Sequence, residues 1–562
     1  MFQVYGVFSG SAGRDALLRR ALEHAPAAGE PVRVSLPSAT IAFLPRAGDT
    51  PGATLLHAPP LSVAVLGKPF HRDGGDLRQT LAFVRDAYLA DRREAFAEIS
   101  GEFVIVVADD ARNRLVIISD CLALRPFFYA HGADGTAFGS EVWPLAATGC
   151  VPTTVDLDAL CSWLCFEHVM GDASLIAGIR RIPPSSVLTI DGSGIRTVAY
   201  ATLHDTEDPI GEDDLIDRIH EIVHRTCRQI SDREPRLGCF LSGGFDSRYL
   251  ACALSALRDD LELYTVCYDS REEDVAAAVA RALGIAPHTI RTPSAVWDLW
   301  DDPFYVAPWG FPAWRFVTTL PVERFGLRHT LVDGLLGDDV IRGHDYEEAV
   351  ARLAREHGSL DEAIFLAHLA VSPGVLFADP LARRIHGRVV RQIHALRGTM
   401  PGGPARQAYL WLLLHRKNTF HVTNHLHNVA RLETVHPFCA RDLLDLRLRH
   451  PNALFSTRLY RRIFARYYPA VSTIPHSTEV PQRYDRLDAM SRTLWRHTPA
   501  VTRELLRAEC DGLFRRRWLL PRLAAYAGGM RRQQYLVRFL WPVAMLLRRL
   551  RSAGIEVPWD EI

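Results

Sequence analysis

The run Leu237-Gly-Cys-Phe-Leu241, followed without a break by Ser242-Gly-Gly-Phe-Asp-Ser247 and a helical pattern from Arg248 to Leu257, constrains this chain more than any other feature. A short apolar run of this kind reads as a strand buried in a parallel sheet. The paired glycines let the backbone come close to an anion with no Cβ in the way. The turn then aims amide N–H groups from a helix N-terminus toward that anion. The pattern continues with a strand over Leu261 to Cys267 and a helix over Glu272 to Leu283, and an amphipathic helix over Leu215 to Ile230 precedes it. Alternating strands and helices predict a doubly wound parallel sheet, whose ligands sit beyond the carboxyl ends of its strands. Asp246 lies inside the turn; a carboxylate next to a polyphosphate needs a cation between them, which assigns it to Mg²⁺. The turn lacks the lysine of a G-x-x-x-x-G-K-[ST] loop, so it is a different phosphate device.

At 562 residues the chain predicts two or three domains. Up to about residue 200 it reads as mostly β, with strands at Val63 to Leu66, Phe103 to Ala108, Leu115 to Ile118 and Val187 to Ile190, and helices near 76–98 and 157–167. The polar segment 204–213 is the linker candidate, giving domains 1–205 and 206–562, and from about 345 the pattern is helical. Acidic and basic residues balance at 65 each, which argues against a nucleic-acid partner. Lysine occurs only at Lys68 and Lys417. The ten cysteines form no C-x-x-C pair and read as small buried hydrophobes in a reducing compartment. There is no export-signal pattern, and the apolar run Phe539 to Leu547 is too short to span a bilayer, so the expected location is the cytoplasm. Residues 501–562 carry twelve arginines against six acidic residues, a solvated helix face or a docking face for a peptide or membrane surface. His421 and His425, four apart near His415 and His427, have no carboxylate at matching spacing and do not read as a zinc site.

The glycine turn matches the pyrophosphatase-type loop of the N-type ATPases, and nearly the whole chain resembles the asparagine synthetase family. The resemblance is carried by Gly101-Glu-Phe103, Asp120 to Tyr129, Phe138-Gly-Ser-Glu141 and Gly178 to Pro184. In the second half it is carried by Asp333-Gly-Leu-Leu-Gly-Asp338 and by Glu433-Thr-Val-His-Pro-Phe438, where Val435 replaces the arginine of an E-x-R-x-P-F motif. It implies an α/β chain: an N-terminal-nucleophile-hydrolase-like αββα domain, then a doubly wound ATP-pyrophosphatase domain with a helical C-terminal portion. It implies ATP held by Leu241, Ser242, Gly243, Gly244, Asp246 and Ser247, with Gly334 close to the nucleotide and Val266 flanking adenine. Asp246 and Asp338 then share Mg²⁺ while a substrate carboxylate attacks the α-phosphorus, giving an acyl-adenylate and pyrophosphate by positioning and charge neutralisation.

The chain also departs from the family in its first domain and in its acceptor region. Glutamine-using members carry a cysteine directly after Met1; here Phe2 stands there and no cysteine precedes Cys121, so the thiolate that attacks glutamine is expected to be absent. Leu66-Gly-Lys-Pro-Phe70 also lacks the family's glutamine-holding run. In the acceptor region, Leu335 replaces the glutamate or tyrosine of relatives, leaving Glu433 to orient or deprotonate an amine. The family lysine after the P-F motif is missing from 471–480. His476 is the nearest cationic candidate there, and Lys417 the one lysine able to substitute in space.

A relative without that nucleophile must find its amine elsewhere, as free ammonia or as part of the substrate itself. The length, the long helical insertion between Asp338 and Glu433, and the basic tail are similar to lasso peptide cyclases, which join an Asp or Glu side chain to a peptide's own N-terminal amine. The partners implied are a precursor peptide, a leader-binding protein and a leader peptidase. Trp309, Phe311, Trp314 and Phe316 are candidates to line a peptide groove or to pack in the core. The alternatives are asparagine synthesis, β-lactam-type cyclisation of a small molecule, and a non-catalytic scaffold that binds nucleotide or peptide.

Overall fold

The structure, a computed structural model, describes residues 3–9, 13–25, 31–35, 39–44, 55–202, 206–267, 269–291, 309–312, 329–421, 434–483, 495, 497–507, 510–528 and 534–562. The first half contributes strands β1 (Gln3–Phe8), β2 (Val32–Ser35), β3 (Ala39–Leu44), β4 (Leu55–Ala58), β5 (Leu61–His71), β6 (Ile99–Asp109), β7 (Arg114–Ser119), β8 (Phe128–Gly132), β9 (Gly135–Gly139), β10 (Ile179–Arg181), β11 (Ser186–Asp191) and β12 (Gly194–Ala199). They form two six-stranded sheets, ordered β10-β8-β9-β1-β3-β2 and β12-β11-β7-β6-β5-β4. All the pairings are antiparallel, and the longest runs from Leu61 opposite Asp109 to His71 opposite Ile99.

Side-chain alternation decides the layers. Val4, Ile41 and Phe43 of the first sheet meet Leu66, Val104, Val106 and Ile117 of the second, so the two sheets pack face to face. The opposite residues turn outward: Tyr5, Val7 and Leu44 pack with Leu17 and Leu18 of helix Arg14–Glu23. Val63, Val65 and Ile105 pack with Leu81 and Val84 of helix Leu77–Leu89. The result is the αββα arrangement that the resemblance implies. The helical stretch expected near 76–98 splits in two. Asp76 and Gln79 form a capping box at its start, and a separate 3₁₀ turn, Arg93–Glu98, follows.

Glu141, in the Phe138-Gly-Ser-Glu141 motif, accepts a 2.6 Å hydrogen bond from Gln3 Nε2, and burial outweighs nearby Arg549 to push its carboxyl up to about 7. A carboxyl whose folded pKa lies above its unfolded one stabilises less and less as pH rises from about 4.5 to about 7, because the folded state must give up a proton it prefers to keep. Glu141→Gln mimics the neutral form. The thermal midpoint of this variant is therefore expected to match wild type near pH 4.5 and to exceed it by a few °C near pH 8 in a melting experiment.

The second half carries β13 (Leu237–Phe240), β14 (Glu262–Cys267), β15 (Pro287–Arg291), β16 (Thr330–Val332) and β17 (Thr434–Val435), all parallel in the order β15-β14-β13-β16-β17. Helix Glu212–Arg233 buries one face through Leu215, Ile219, Val223 and Ile230, and helices Phe245–Ser255 and Ser270–Leu283 alternate with the strands. From β13 the chain winds outward to β15 and then returns to lay β16 on the other side of β13. This reversal makes the end of β13 a switch point, the crevice where such sheets bind ligands. Beyond residue 344 the described chain is almost entirely helical. The halves are tied together: Arg233 donates to Pro69 O and Gly75 O at 2.7 Å, and Lys68 pairs with Glu234 and Thr330.

Trp309 and Phe311 fill the core instead of lining a groove: Trp309 packs edge-on against Phe128 and Phe311 stacks on Trp163. Trp314 and Phe316 lie outside the described residues. No helix among the described residues is long and apolar enough to cross a membrane.

Candidate active site

The loop after β13 is pinned at both ends. The Leu241 amide donates to Tyr264 O on β14 at 2.8 Å, and the Ser242 amide to Ser247 Oγ at 3.0 Å. The Ser242 and Ser247 hydroxyls meet at 2.9 Å, and the Gly244 amide donates to Ser242 Oγ at 3.2 Å. Gly244 opens the helix with no side chain capping it, so the first-turn amides remain aimed outward, available to an anion. Val266, near the end of β14, is half-buried beside Phe240 and Tyr264.

The loop after β16 closes on this one. Gly334 and Gly337 are required at their positions: a Cβ on Gly334 would sit 2.9 Å from Asp246 Cβ, and one on Gly337 would sit 2.5 Å from Asp246 Cγ. Because both lack side chains, Asp246 Oδ2 accepts the Asp338 amide at 3.0 Å, and the two carboxylates face one crevice. Between them Leu335 is buried, and Leu336 adopts φ +68° to start helix Gly337–Arg342. A leucine in the left-handed region costs about 1–2 kcal/mol, strain of the kind found where a site over-determines its backbone.

The charges around the pair are uneven. Tyr460 donates its hydroxyl to Asp246 Oδ1, and Arg342 Nη2 donates to Asp338 Oδ2 at 2.6 Å. Burial, and then the charge of Asp338, hold the Asp246 carboxyl well above the usual carboxylate range. Burial also acts on Asp338, but the Arg342 bond and charge outweigh it and hold that carboxyl below its ordinary value. A buried proton shared next to a second carboxylate is what a bound cation displaces, and two carboxylate oxygens fit a hard divalent ion that keeps its remaining positions for water and phosphate. No three metal-ligating side chains converge among the described residues, and His425 and His427 lie outside them.

Lys417 reaches this edge from far along the chain. Its Nζ stands 3.0 Å from Asp339 Oδ2, next to Asp338. His476 is also brought to the loop, its ring 4.8 Å from that of Phe245 between centroids. Its surroundings correct the expectation of a cation: Nδ1 accepts the Thr478 amide at 3.2 Å, and burial, then Arg342, lower its pKa, leaving a neutral capping ring near pH 7. Glu433 lies outside the described residues; its neighbours Thr434 and Val435 form β17 beside β16.

Three functional neighbours escape a reading of the sequence. Glu272 binds the Gly243 amide through Oε2 at 2.5 Å and the Ser477 hydroxyl through Oε1 at 3.0 Å, so a carboxylate occupies an amide suited to an anion. Tyr460 holds Asp246 from 214 residues away. Buried Arg248 donates to Ile474 O at 2.6 Å and Pro475 O at 2.8 Å, fixing the segment whose Ser477 amide bonds Gly243 O at 3.1 Å. An arginine directly after Ser247 on an otherwise apolar helix is the one available signal. Arg248→Met strands two carbonyls, so it is expected to lower unfolding free energy by about 2–4 kcal/mol, measured by urea titration.

Two family models match the chain: a glutamine amidotransferase domain over residues 84–201 and asparagine synthase over residues 218–473. Asparagine synthetase [glutamine-hydrolyzing] 1 of Bacillus subtilis is 24% identical over 225 residues, 38% of this chain and 35% of that protein. A putative asparagine synthetase [glutamine-hydrolyzing] of Mycobacterium bovis is 27% identical over 213 residues, 36% of this chain and 32% of that one. The chain thus spans about a third of the length of these curated relatives. Glutamine phosphoribosylpyrophosphate amidotransferase from B. subtilis covers 64% of this chain and 79% of its own at 10% identity, with a TM-score of 0.27, too low to say anything of this chain. With both matched segments in place and the two loops facing each other at the switch point, residues 218–473 match asparagine synthase, and the chain is similar to the asparagine synthetase family in both halves.

Proposed function

We propose that this chain is an ATP-dependent carbon–nitrogen ligase that activates a carboxylate as its adenylate and passes it to an amine of the same substrate. The reading rests on Asp246 and Asp338 facing one another across the switch point, beside a helix N-terminus whose first-turn amides have no side-chain cap. In it Ser242, Gly243, Gly244 and Ser247 take the triphosphate, Leu241 and Val266 border the adenine, and Gly334 lies against the nucleotide. Asp246 and Asp338 hold Mg²⁺, which when bound neutralises polyphosphate charge. The substrate carboxylate oxygen bonds to the α-phosphorus and the bond to the β-phosphate oxygen breaks, releasing pyrophosphate. The amine nitrogen then bonds to the acyl carbon, AMP leaves, and Glu433 accepts the amine proton. Lys417 stabilises negative charge at this edge, and His476 orders the loop.

The finer reading is a lasso peptide macrocyclase, joining an Asp or Glu side chain of a precursor peptide to its N-terminal amine. A leader-binding protein and a leader peptidase would act with it in the cytoplasm, and the boundary between its two domains falls at 205/206. The cysteines support an amine that comes with the substrate. All ten are buried away from any incoming glutamine, and burial pushes the Cys121 thiol up to about 12. A second reading, asparagine formation, is favoured by the names of the relatives. Pyrophosphate release settles the choice. Release with a precursor peptide and not with aspartate supports the cyclase, and release with aspartate plus ammonia or glutamine overturns it. ATP binding with no release from any carboxylate makes the chain a scaffold.

A further inference from the structure

Lys417 rides on an unusual element. Residues Leu412–His421 form a π-helix, ten residues long. Such turns are normally single bulges inside an α-helix, often at functional sites, and one this long persists only if its surroundings hold it. The holders come from the first half of the chain. Arg181, at the end of β10 and fully buried, donates through Nη1 to Asn418 O at 3.4 Å and through Nη2 to Gly171 O at 3.1 Å. Asn418, with no exposed surface, donates through Nδ2 to Leu122 O at 3.1 Å. The Gly171 amide bonds His415 Nδ1 at 3.3 Å, and Thr419 Oγ1 bonds His168 Nδ1 at 3.2 Å. These contacts fall at positions 415, 418 and 419, on both sides of Lys417, while Lys417 itself points the other way, to Asp339 of the second half.

We propose that the αββα half serves as a positioning element for the ligase site, with Arg181 and Asn418 fixing the π-helical register that carries Lys417 to Asp339, beside Asp338. Five residues of π-helix and of α-helix end roughly a quarter turn apart. Relaxation to α-helix therefore swings Lys417 off the crevice. The half that keeps no described reactive thiol thus acts on the reaction through Lys417, and Arg181 and Asn418 are positioning residues. The catalytic consequence rests on the ligase reading above; the register itself does not.

The chain's two lysines allow a direct test. Reductive methylation with ¹³C-formaldehyde keeps the charge and labels only Lys68, Lys417 and the chain's amino terminus, and Lys68→Arg and Lys417→Arg assign the two side-chain signals. In Asn418→Leu the Lys417 signal is expected to move toward that of a solvated lysine while Lys68, paired with Glu234 at the seam of the two halves, stays put. Arg181→Gln, a milder change, is expected to give a smaller displacement of the same signal. Both signals unmoved in both variants overturn the proposal, and so does movement of both signals together, which marks a merely structural contact. Because the spectra need neither ATP nor substrate, a failed ligase reading leaves this result intact. Where pyrophosphate release is measurable, Asn418→Leu is expected to lower kcat about tenfold with the KM for ATP within about twofold. In a Lys417→Met background the same change is expected to cost less than about twofold, because it acts through a side chain already gone. Full additivity of the two losses overturns the proposal.

Discussion

Asp246→Asn is expected to reduce pyrophosphate release by about 10³-fold or more while leaving the protein folded. The carboxylate sits where two loops converge, and a neutral amide there removes both a cation ligand and the charge that a polyphosphate-bound cation answers. Stability behaves differently. Burial and the charge of Asp338 already hold the Asp246 carboxyl well above its usual range, so the folded protein gains nothing from its negative charge. Asparagine can keep its oxygen for the Asp338 amide and turn its NH₂ toward Tyr460, whose hydroxyl oxygen then accepts. A thermal melt of this variant should therefore lie within a few °C of wild type or above it. Near-normal turnover would place the site elsewhere.

The second large effect comes from a single carbon. Gly337→Ala puts a Cβ where Asp246 Cγ stands 2.5 Å away, with Oδ1 at 2.7 Å, so the carboxylate or its loop must shift. Overpacking of this kind costs about 1–3 kcal/mol in stability. A displacement near 1 Å at a positioned group costs about 10²-fold in rate. The expected outcome is a loss of that order in kcat, read in a steady-state pyrophosphate assay, with a modest drop in the urea midpoint. Gly358 makes a fair control: a Cβ there meets nothing within 4 Å, although its φ of +68° makes any side chain somewhat strained.

How much of the molecule is legible in the sequence differs from element to element. The strand Leu237–Phe240, its glycine turn and the helices after it are readable because a buried strand, two glycines and a 3.6-residue period are local signals. The first sheet does not declare itself in its residues. Its strand β3 is buried throughout from Ala39 to Leu44, so no alternation betrays it, and β10 is only three residues long. Resemblance, not periodicity, anticipates the αββα layers. At the site, Asp246 and Asp338 stand out through their motifs, whereas Glu272, Arg248 and Tyr460 act through tertiary approach that no local pattern encodes. Lys417 draws attention because lysine is so rare in this chain; its arrival at Asp339 depends on a π-helix held by Arg181 and Leu122, hundreds of residues earlier. His476 looks like a cation by elimination, but burial beside Phe245 and the nearness of Arg342 keep it neutral.

The adenylate itself is the most direct object of measurement. With ¹⁸O in the substrate carboxylate, whether supplied as a precursor peptide or as aspartate, turnover with ATP is expected to deliver one ¹⁸O to AMP, read by mass spectrometry, and none to pyrophosphate. ADP and labelled phosphate as the products would contradict attack at the α-phosphorus and, with it, the role of the crevice between Asp246 and Asp338 in adenylation.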